Sequence, residues 1–65
     1  MKVLLRNPRR EIEVVGVHRV HALLAKLDLN RESHLVICNG TLVPGDAELL
    51  DGDIVEVRPV ISGGV

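Results

Sequence analysis

The sequence predicts an α+β fold in which one main helix packs on one face of a mixed sheet of four or five strands. Three observations support this prediction. The chain has 65 residues, which suffice for one domain only. Short aliphatic segments of strand character flank a single segment with helical periodicity. Their order is strand, strand, helix, strand, short strand, strand, which is typical of one helix lying across one sheet.

The first two predicted strands form an antiparallel hairpin. Residues 2–6 are short and mostly aliphatic, and they stop at Asn7-Pro8, a pair that favours a turn. Residues 11–15 begin with alternating polar and apolar side chains, which suits a strand with one face on a core and one in water. We expect this hairpin to end at Gly16.

From Val17 onward the period changes to that of a helix. Apolar residues recur at positions i, i+3, i+4 and i+7 and form one stripe that can pack on the sheet: Val20, Leu23, Leu24 and Leu27. Residues 28–30 are expected to end the helix.

The C-terminal half contains two turn signals between aliphatic segments. Residues 35–38 are apolar and precede Asn39-Gly40, a dipeptide that tolerates positive φ at both positions of a hairpin turn. The next segment, residues 41–43, is cut short by a proline and a glycine, so we expect a short edge strand there.

The last predicted strand, residues 54–58, follows the turn Asp51-Gly52-Asp53. Val55 and Val57 lie on one face, and the other face carries Ile54, Glu56 and Arg58. We expect the chain to leave the sheet at Pro59, because proline cannot donate to a ladder. The whole arrangement is the β-grasp, or ubiquitin-like, fold.

Composition excludes several classes of function. The chain is 46% hydrophobic but has no Phe, Tyr or Trp, so bases cannot be stacked on aromatic rings. A formal charge of −1 argues against general attraction to nucleic acid or membrane. A chain this short leaves little room for an enclosed active site, so we do not expect an enzyme. One cysteine, and the lack of a secretory pattern or a long apolar run, favour the cytoplasm.

The C-terminal residues have a different character from the rest of the chain. We divide the protein into a β-grasp domain, residues 1–60, and a flexible tail, residues 61–65. Gly63 and Gly64 give a backbone that can thread a channel too narrow for larger residues. Such a tail is suited to be the substrate of another protein, although two glycines alone also fit a frayed terminus.

These residues resemble the bacterial and archaeal sulfur carriers of the ThiS and MoaD type from Met1 to Gly64. The resemblance rests on residues 20–24 at the helix start, Asn39-Gly40 with residues 42–44, the turn at residues 51–53, and the tail at residues 60–64. The Asp-Gly-Asp turn and the diglycine at a matching separation are its specific part.

The resemblance implies a chemistry that the carrier itself does not catalyse. An E1-like enzyme adenylates the carboxylate of Gly64, and a persulfide on a sulfur donor protein displaces AMP to leave a thiocarboxylate. A downstream synthase then takes the sulfur. Ser62 and Gly63 belong to the delivered tail. The resemblance implies neither a metal, a cofactor nor a catalytic residue in the carrier.

Val65 departs from the family pattern, because the second glycine is the mature end of the family's chains. We favour removal of Val65 by a carboxy-terminal peptidase, which would give Gly64 its carboxylate. The protein could also act with Val65 in place, or have lost the carrier function. A terminal valine carboxylate docking into a backbone nest is a further alternative.

Two other function classes remain open. The protein could be a ubiquitin-like modifier that is conjugated to lysines through Gly64, or an inert β-grasp interaction module. The pathway that receives the sulfur is also open. The short chain resembles the thiamine carriers, whereas residues 58–60 resemble the molybdopterin carriers.

The remaining candidate residues have simpler explanations. Cys38 in an apolar strand behaves as a small hydrophobe, and no ligand spacing completes a metal set with the three histidines. An Asp-Gly-Asp turn explains Asp51 and Asp53, and three arginines near the first turn are surface residues that could steer an acidic partner. The histidines are His18, His21 and His34, and the arginines are Arg6, Arg9 and Arg10. A docking patch for the partner is predicted at Leu4, Val60 and Ile61.

Overall fold

The computed structural model describes residues 1–6 and 9–60. It contains five strands and one helix in these residues. The strands are β1 (Lys2–Leu5), β2 (Arg10–Glu13), β3 (His34–Cys38), β4 (Thr41–Val43) and β5 (Ile54–Pro59), and the helix is α1 (Val20–Lys26). The α+β prediction of one helix on a mixed β-grasp sheet is confirmed.

All five strands form one sheet in the order β2-β1-β5-β3-β4. β1 is antiparallel to β2 and parallel to β5, and β3 is antiparallel to both β4 and β5. The parallel pair at the centre joins the first and last strands of the chain. This pairing brings the C-terminal end of β5 beside the end of β1, where the tail begins.

The core lies between α1 and one face of the sheet. Leu23 of the helix and Val3 and Val55 of the two central strands are fully buried. With no aromatic side chain, the core is built from aliphatic residues and one methionine. Its members are Met1, Val3, Val14, Val17, Val20, Leu23, Leu24, Val36, Leu49, Val55 and Val57.

The helix begins at Val20, three residues after the change of period at Val17. The preceding backbone pairs elsewhere: the N–H of Leu49 donates to the carbonyl of His18 over 2.7 Å, and Arg19 bridges to Glu48. These contacts hold Arg19 in an extended conformation at the helix N-cap. After the helix, Asp28 adopts a left-handed φ of 59°, which stops the helix where it was predicted to stop.

Three predicted strand ends are wrong. β1 stops one residue early, at Leu5. β2 ends at Glu13; Val14 still exchanges two backbone hydrogen bonds with Met1, at 2.9 and 3.1 Å, but Val15 is left 71% exposed. β5 does not end before Pro59. Pro59 is in register with His34, and β1 pairs with β5 only as far as Val57, so no neighbouring strand requires the missing proline N–H.

Candidate functional site

The root of the tail is attached firmly to the sheet. The N–H of Val60 donates to the carbonyl of Ser33 over 2.9 Å, which extends the ladder one residue beyond Pro59. Val60 itself is 39% exposed. The residues to which the sulfur chemistry was assigned lie outside the described part of the chain: Ile61, Ser62, Gly63, Gly64 and Val65.

The face of the sheet opposite the helix carries a row of aliphatic side chains. Leu4 of β1 is in register with Glu56 of β5, Glu56 with Ile37 of β3, and Ile37 with Leu42 of β4. Leu42 is 59% exposed, and Leu35, two residues from Ile37, is 45% exposed. We call Leu4, Leu35, Ile37 and Leu42 the outer face.

Leu4 was predicted to point away from the core, and it does lie outside the core cluster. The other three outer-face residues were not assigned to a docking patch. Residues 35–38 read as one continuous apolar segment, which hides the alternation between a buried Val36 and its outward-facing neighbours Leu35 and Ile37. This continuous apolar run could have indicated the outer face, because a strand that is apolar on both faces is either fully buried or faces a partner.

A small charge cluster crosses the middle of the outer face. One carboxylate oxygen of Glu56 accepts from Nε and Nη2 of Arg6 at 3.2 and 3.0 Å, and it lies 3.1 Å from Nε of Arg58. Two guanidinium groups therefore share one carboxylate. The cluster leaves one excess positive charge beside Leu4, close to the end of β5.

At the opposite end of the sheet, the two predicted turns are tied together by side chains. Asp53 accepts from the Leu50 N–H at 2.9 Å and from Nδ2 of Asn39 at 3.0 Å, while the side-chain oxygen Oδ1 of Asn39 accepts from the Ile54 N–H at 3.0 Å. Asn39 has a φ of 51° and is followed by Gly40 at 86°. The Asp-Gly-Asp turn thus has a conformational role, as predicted.

Cys38 belongs to the same network. Its thiol donates to Asp53 Oδ2 over 3.3 Å. Burial raises the pKa of the Cys38 thiol, and the hydrogen bond and negative charge of Asp53 raise it further. The hydrogen bonds from the Leu50 N–H, Asn39 and Cys38 lower the pKa of Asp53. A thiol held in its neutral form is a poor nucleophile, so Cys38 is suited to structure and not to catalysis.

The histidines are more engaged than the sequence suggested. His18 is exposed, whereas His21 and His34 are half-buried. Arg31 Nη1 donates to His21 Nδ1 over 2.8 Å within an open groove of about 830 Å³ between α1 and β3–β4. His34 Nδ1 donates to the Asn30 carbonyl over 2.8 Å. Residues 1–6 and 9–60 contain no group of three or more His, Cys, Asp or Glu side chains placed to hold a metal ion.

Within the described ranges, no helix has the length and apolar character needed to cross a membrane, since α1 has seven residues.

Two comparisons with known proteins agree with this architecture. The family profile described as "ThiS family" matches residues 4–64 of the chain. The sulfur carrier protein TtuB of Thermus thermophilus is 37% identical over 65 residues, in a match that covers 98% of this chain and 100% of that protein.

Proposed function

Because the chain belongs to the ThiS family of sulfur carriers, we propose that it carries sulfur as a thiocarboxylate on Gly64. Members of this family are small carrier proteins and not enzymes. The observation that carries the proposal is the extent of the family match, which ends at residue 64 and leaves out Val65. The match therefore extends through Gly63 and Gly64, where the proposal places the chemistry.

The chemistry requires a free carboxylate on Gly64. That carboxylate attacks the α-phosphate of ATP on an E1-like enzyme, pyrophosphate leaves, and an acyl adenylate forms. The terminal sulfur of a donor protein's persulfide then displaces AMP and gives an acyl disulfide. A thiol cleaves the S–S bond and releases the thiocarboxylate, from which a downstream synthase takes the sulfur. Glycine suits both attacks because no side chain crowds its carbonyl.

Val65 must be removed before this sequence can begin, because in its presence Gly64 carries an amide. We propose that a carboxy-terminal peptidase removes it. The supporting argument is chemical: an amide has no anionic carboxylate oxygen with which to attack ATP, and a β-branched residue is stiffer and bulkier than glycine in a narrow channel. We also propose that the carrier works in the cytoplasm and donates its sulfur in cofactor biosynthesis of the thiamine or molybdopterin type.

We propose that the outer face, together with Val60 and Ile61, docks on the activating enzyme. Leu4, Ile37 and Leu42 lie in one row across β1, β3 and β4, with only Glu56 of β5 between them. Leu42 is exposed and Leu4 and Ile37 are half-buried, and aliphatic side chains gathered on one surface next to a reactive end are typical of a protein interface. Binding there would hold the domain while the tail enters the active site.

The test compares three proteins: the full chain, a chain that ends at Gly64, and a Gly64→Ala version of the shortened chain. Each is incubated with ATP, the adenylating enzyme of the source organism and its persulfide donor, and its intact mass is measured. We expect one oxygen to be replaced by sulfur in the chain that ends at Gly64 only. If that chain stays unmodified, the carrier proposal is wrong.

The same measurement on protein recovered from source cells separates the alternatives. Loss of Val65 with an oxygen-to-sulfur exchange supports the carrier, and attachment to lysines of other proteins supports a modifier. A full-length, unmodified chain under every condition supports an interaction module. For docking, Leu4→Asp and Ile61→Asp should weaken binding to the adenylating enzyme, and unchanged binding would refute the interface.

A further inference from the structure

A small pocket lies beside the root of the tail, where β1, β5 and α1 end. Its volume is about 270 Å³, and we call it the tail-root pocket. Its floor is apolar, whereas all of its polar lining residues are basic or histidine. The floor consists of Leu5, Leu27, Leu29, Val57 and Pro59, and the rim of Arg6, Arg10 and His34.

Arg10 is the least compensated charge of this rim. No carboxylate of residues 1–6 or 9–60 lies within 4.0 Å of its guanidinium. The residues outside these ranges, 7–8 and 61–65, contain no acidic side chain, and the one carboxylate among them is the C-terminal group. Arg6 has a partner in Glu56, but it shares that carboxylate with Arg58. The rim therefore keeps positive charge that an incoming carboxylate can neutralise.

The pocket also lies at the positive end of the sheet. Four basic side chains and two acidic ones belong to the ends of β1 and β5 and the start of β2: Arg6, Arg9, Arg10, Arg58, Glu11 and Glu56. At the opposite end of the same three strands lie one basic and three acidic side chains: Lys2, Glu13, Asp51 and Asp53.

We propose that the tail-root pocket receives a segment of the adenylating enzyme that carries acidic and aliphatic side chains. An aliphatic side chain of that segment packs over Leu27 and Leu29, and an adjacent Asp or Glu pairs with Arg10. This inference rests on the proposed function and adds the chemistry of the partner. It places a second contact on the side of β5 opposite the outer face, so the root of the tail is held between two surfaces.

A protein carboxylate fits the pocket better than the nucleotide of the adenylation step. Residues 61–64 span up to about 13 Å when extended, at roughly 3.3 Å per residue. A nucleotide joined to Gly64 at the end of an extended tail therefore lies well away from Arg10. The apolar floor also favours an aliphatic side chain over a phosphate, which would gain nothing from it.

The experiment measures the Kd between the chain ending at Gly64 and the adenylating enzyme of the source organism, at low and at physiological salt. Arg10→Glu should raise the low-salt Kd about tenfold or more and flatten its salt dependence. Lys2→Glu, at the opposite end of the sheet, is a charge-matched control that should stay within about twofold of wild type. Arg9→Glu alters an exposed neighbour that does not line the pocket, so it should weaken binding clearly less than Arg10→Glu does.

The outcomes separate this inference from the proposed function. If the Arg10→Glu chain binds and is thiocarboxylated like wild type, the pocket proposal is wrong and the carrier proposal stands. If Arg9→Glu and Lys2→Glu weaken binding as much as Arg10→Glu, the effect comes from the overall electrostatic field of the protein. The pocket proposal is then also wrong.

If the wild-type chain is not activated at all, the carrier proposal fails. A second measurement then tests the pocket proposal without the enzyme. The ¹⁵N-labelled chain is titrated with the blocked peptide acetyl-Glu-Leu-Leu-Asp-amide, and with acetyl-Lys-Leu-Leu-Lys-amide as control. Shifts at Leu27, Leu29 and Val57 with the acidic peptide only, lost in Arg10→Glu, support the pocket. Equal shifts with both peptides, or none, overturn it.

Discussion

Replacing Leu23 by alanine should separate the stability of the domain from its binding. Leu23 is fully buried in the middle of α1, and its side chain belongs to the core between helix and sheet. Truncation of a buried leucine removes its transfer free energy and leaves a cavity, which costs about 2.7–5 kcal/mol. The whole domain has about 3–10 kcal/mol of stability at 0.05–0.15 kcal/mol per residue. The loss is thus a large fraction of the total.

We take the cost of the truncation near its lower bound, at about 3 kcal/mol. With a shift of about 4–8 °C per kcal/mol for a domain this small, the Tm should fall by roughly 12–24 °C. Urea unfolding followed by far-UV circular dichroism gives the free energy, and a thermal scan gives the Tm. Binding to the adenylating enzyme, measured well below the lowered Tm, should stay close to wild type, because the side chain of Leu23 is not exposed on the protein surface.

Leu42→Ala is the matched control. It deletes the same atoms from a side chain that is 59% exposed on the edge strand β4. Its free energy of unfolding should change by no more than about 0.5 kcal/mol. Binding should weaken instead, since Leu42 belongs to the outer face. The reasoning is refuted if Leu23→Ala costs under about 1 kcal/mol, or if Leu42→Ala destabilises as much as Leu23→Ala.

Three further predictions concern the turns at the far end of the sheet. The lowered pKa of Asp53 contributes stability that is present above its ordinary value of 3.8 and is lost as the pH falls below it. Asp53→Asn should therefore reduce the loss of unfolding free energy between pH 7 and pH 3, and Asp51→Asn should not. Because its pKa is raised, Cys38 should react with iodoacetamide at pH 8 more slowly in the folded chain than in urea, and equal rates would contradict the role given to burial and Asp53. Gly40→Ala should cost about 1–2 kcal/mol from its positive φ alone, whereas Gly52→Ala, with open space and no positive φ, should be neutral or stabilising; urea unfolding measures both.

The features that depend only on neighbouring residues were predicted correctly from the sequence. The helix stripe of Leu23 and Leu24, the inward pair Val55 and Val57, and the turn at Asn39 are all where their spacing placed them. Each follows from the 3.6-residue or two-residue period or from backbone preference, which act within a few residues. The strand ends at Val15 and Pro59 were wrong because a strand ends where its pairing ends: Val15 has no ladder partner among the described residues, and Pro59 is in register with His34 of β3, a strand that is distant in the chain.

The sequence by itself determined the element order, the core-facing side of each central strand, and a diglycine at residues 63–64 inside the range that the family profile matches. Only the tertiary structure decided which outward residues meet. The parallel pairing of β1 with β5 brings Arg6 to Glu56, fifty residues away, and places Val57 and Pro59 in one pocket with Arg6 and Arg10. Such contacts depend on strand order, and strand order is set by the packing of the whole chain and not by any local pattern.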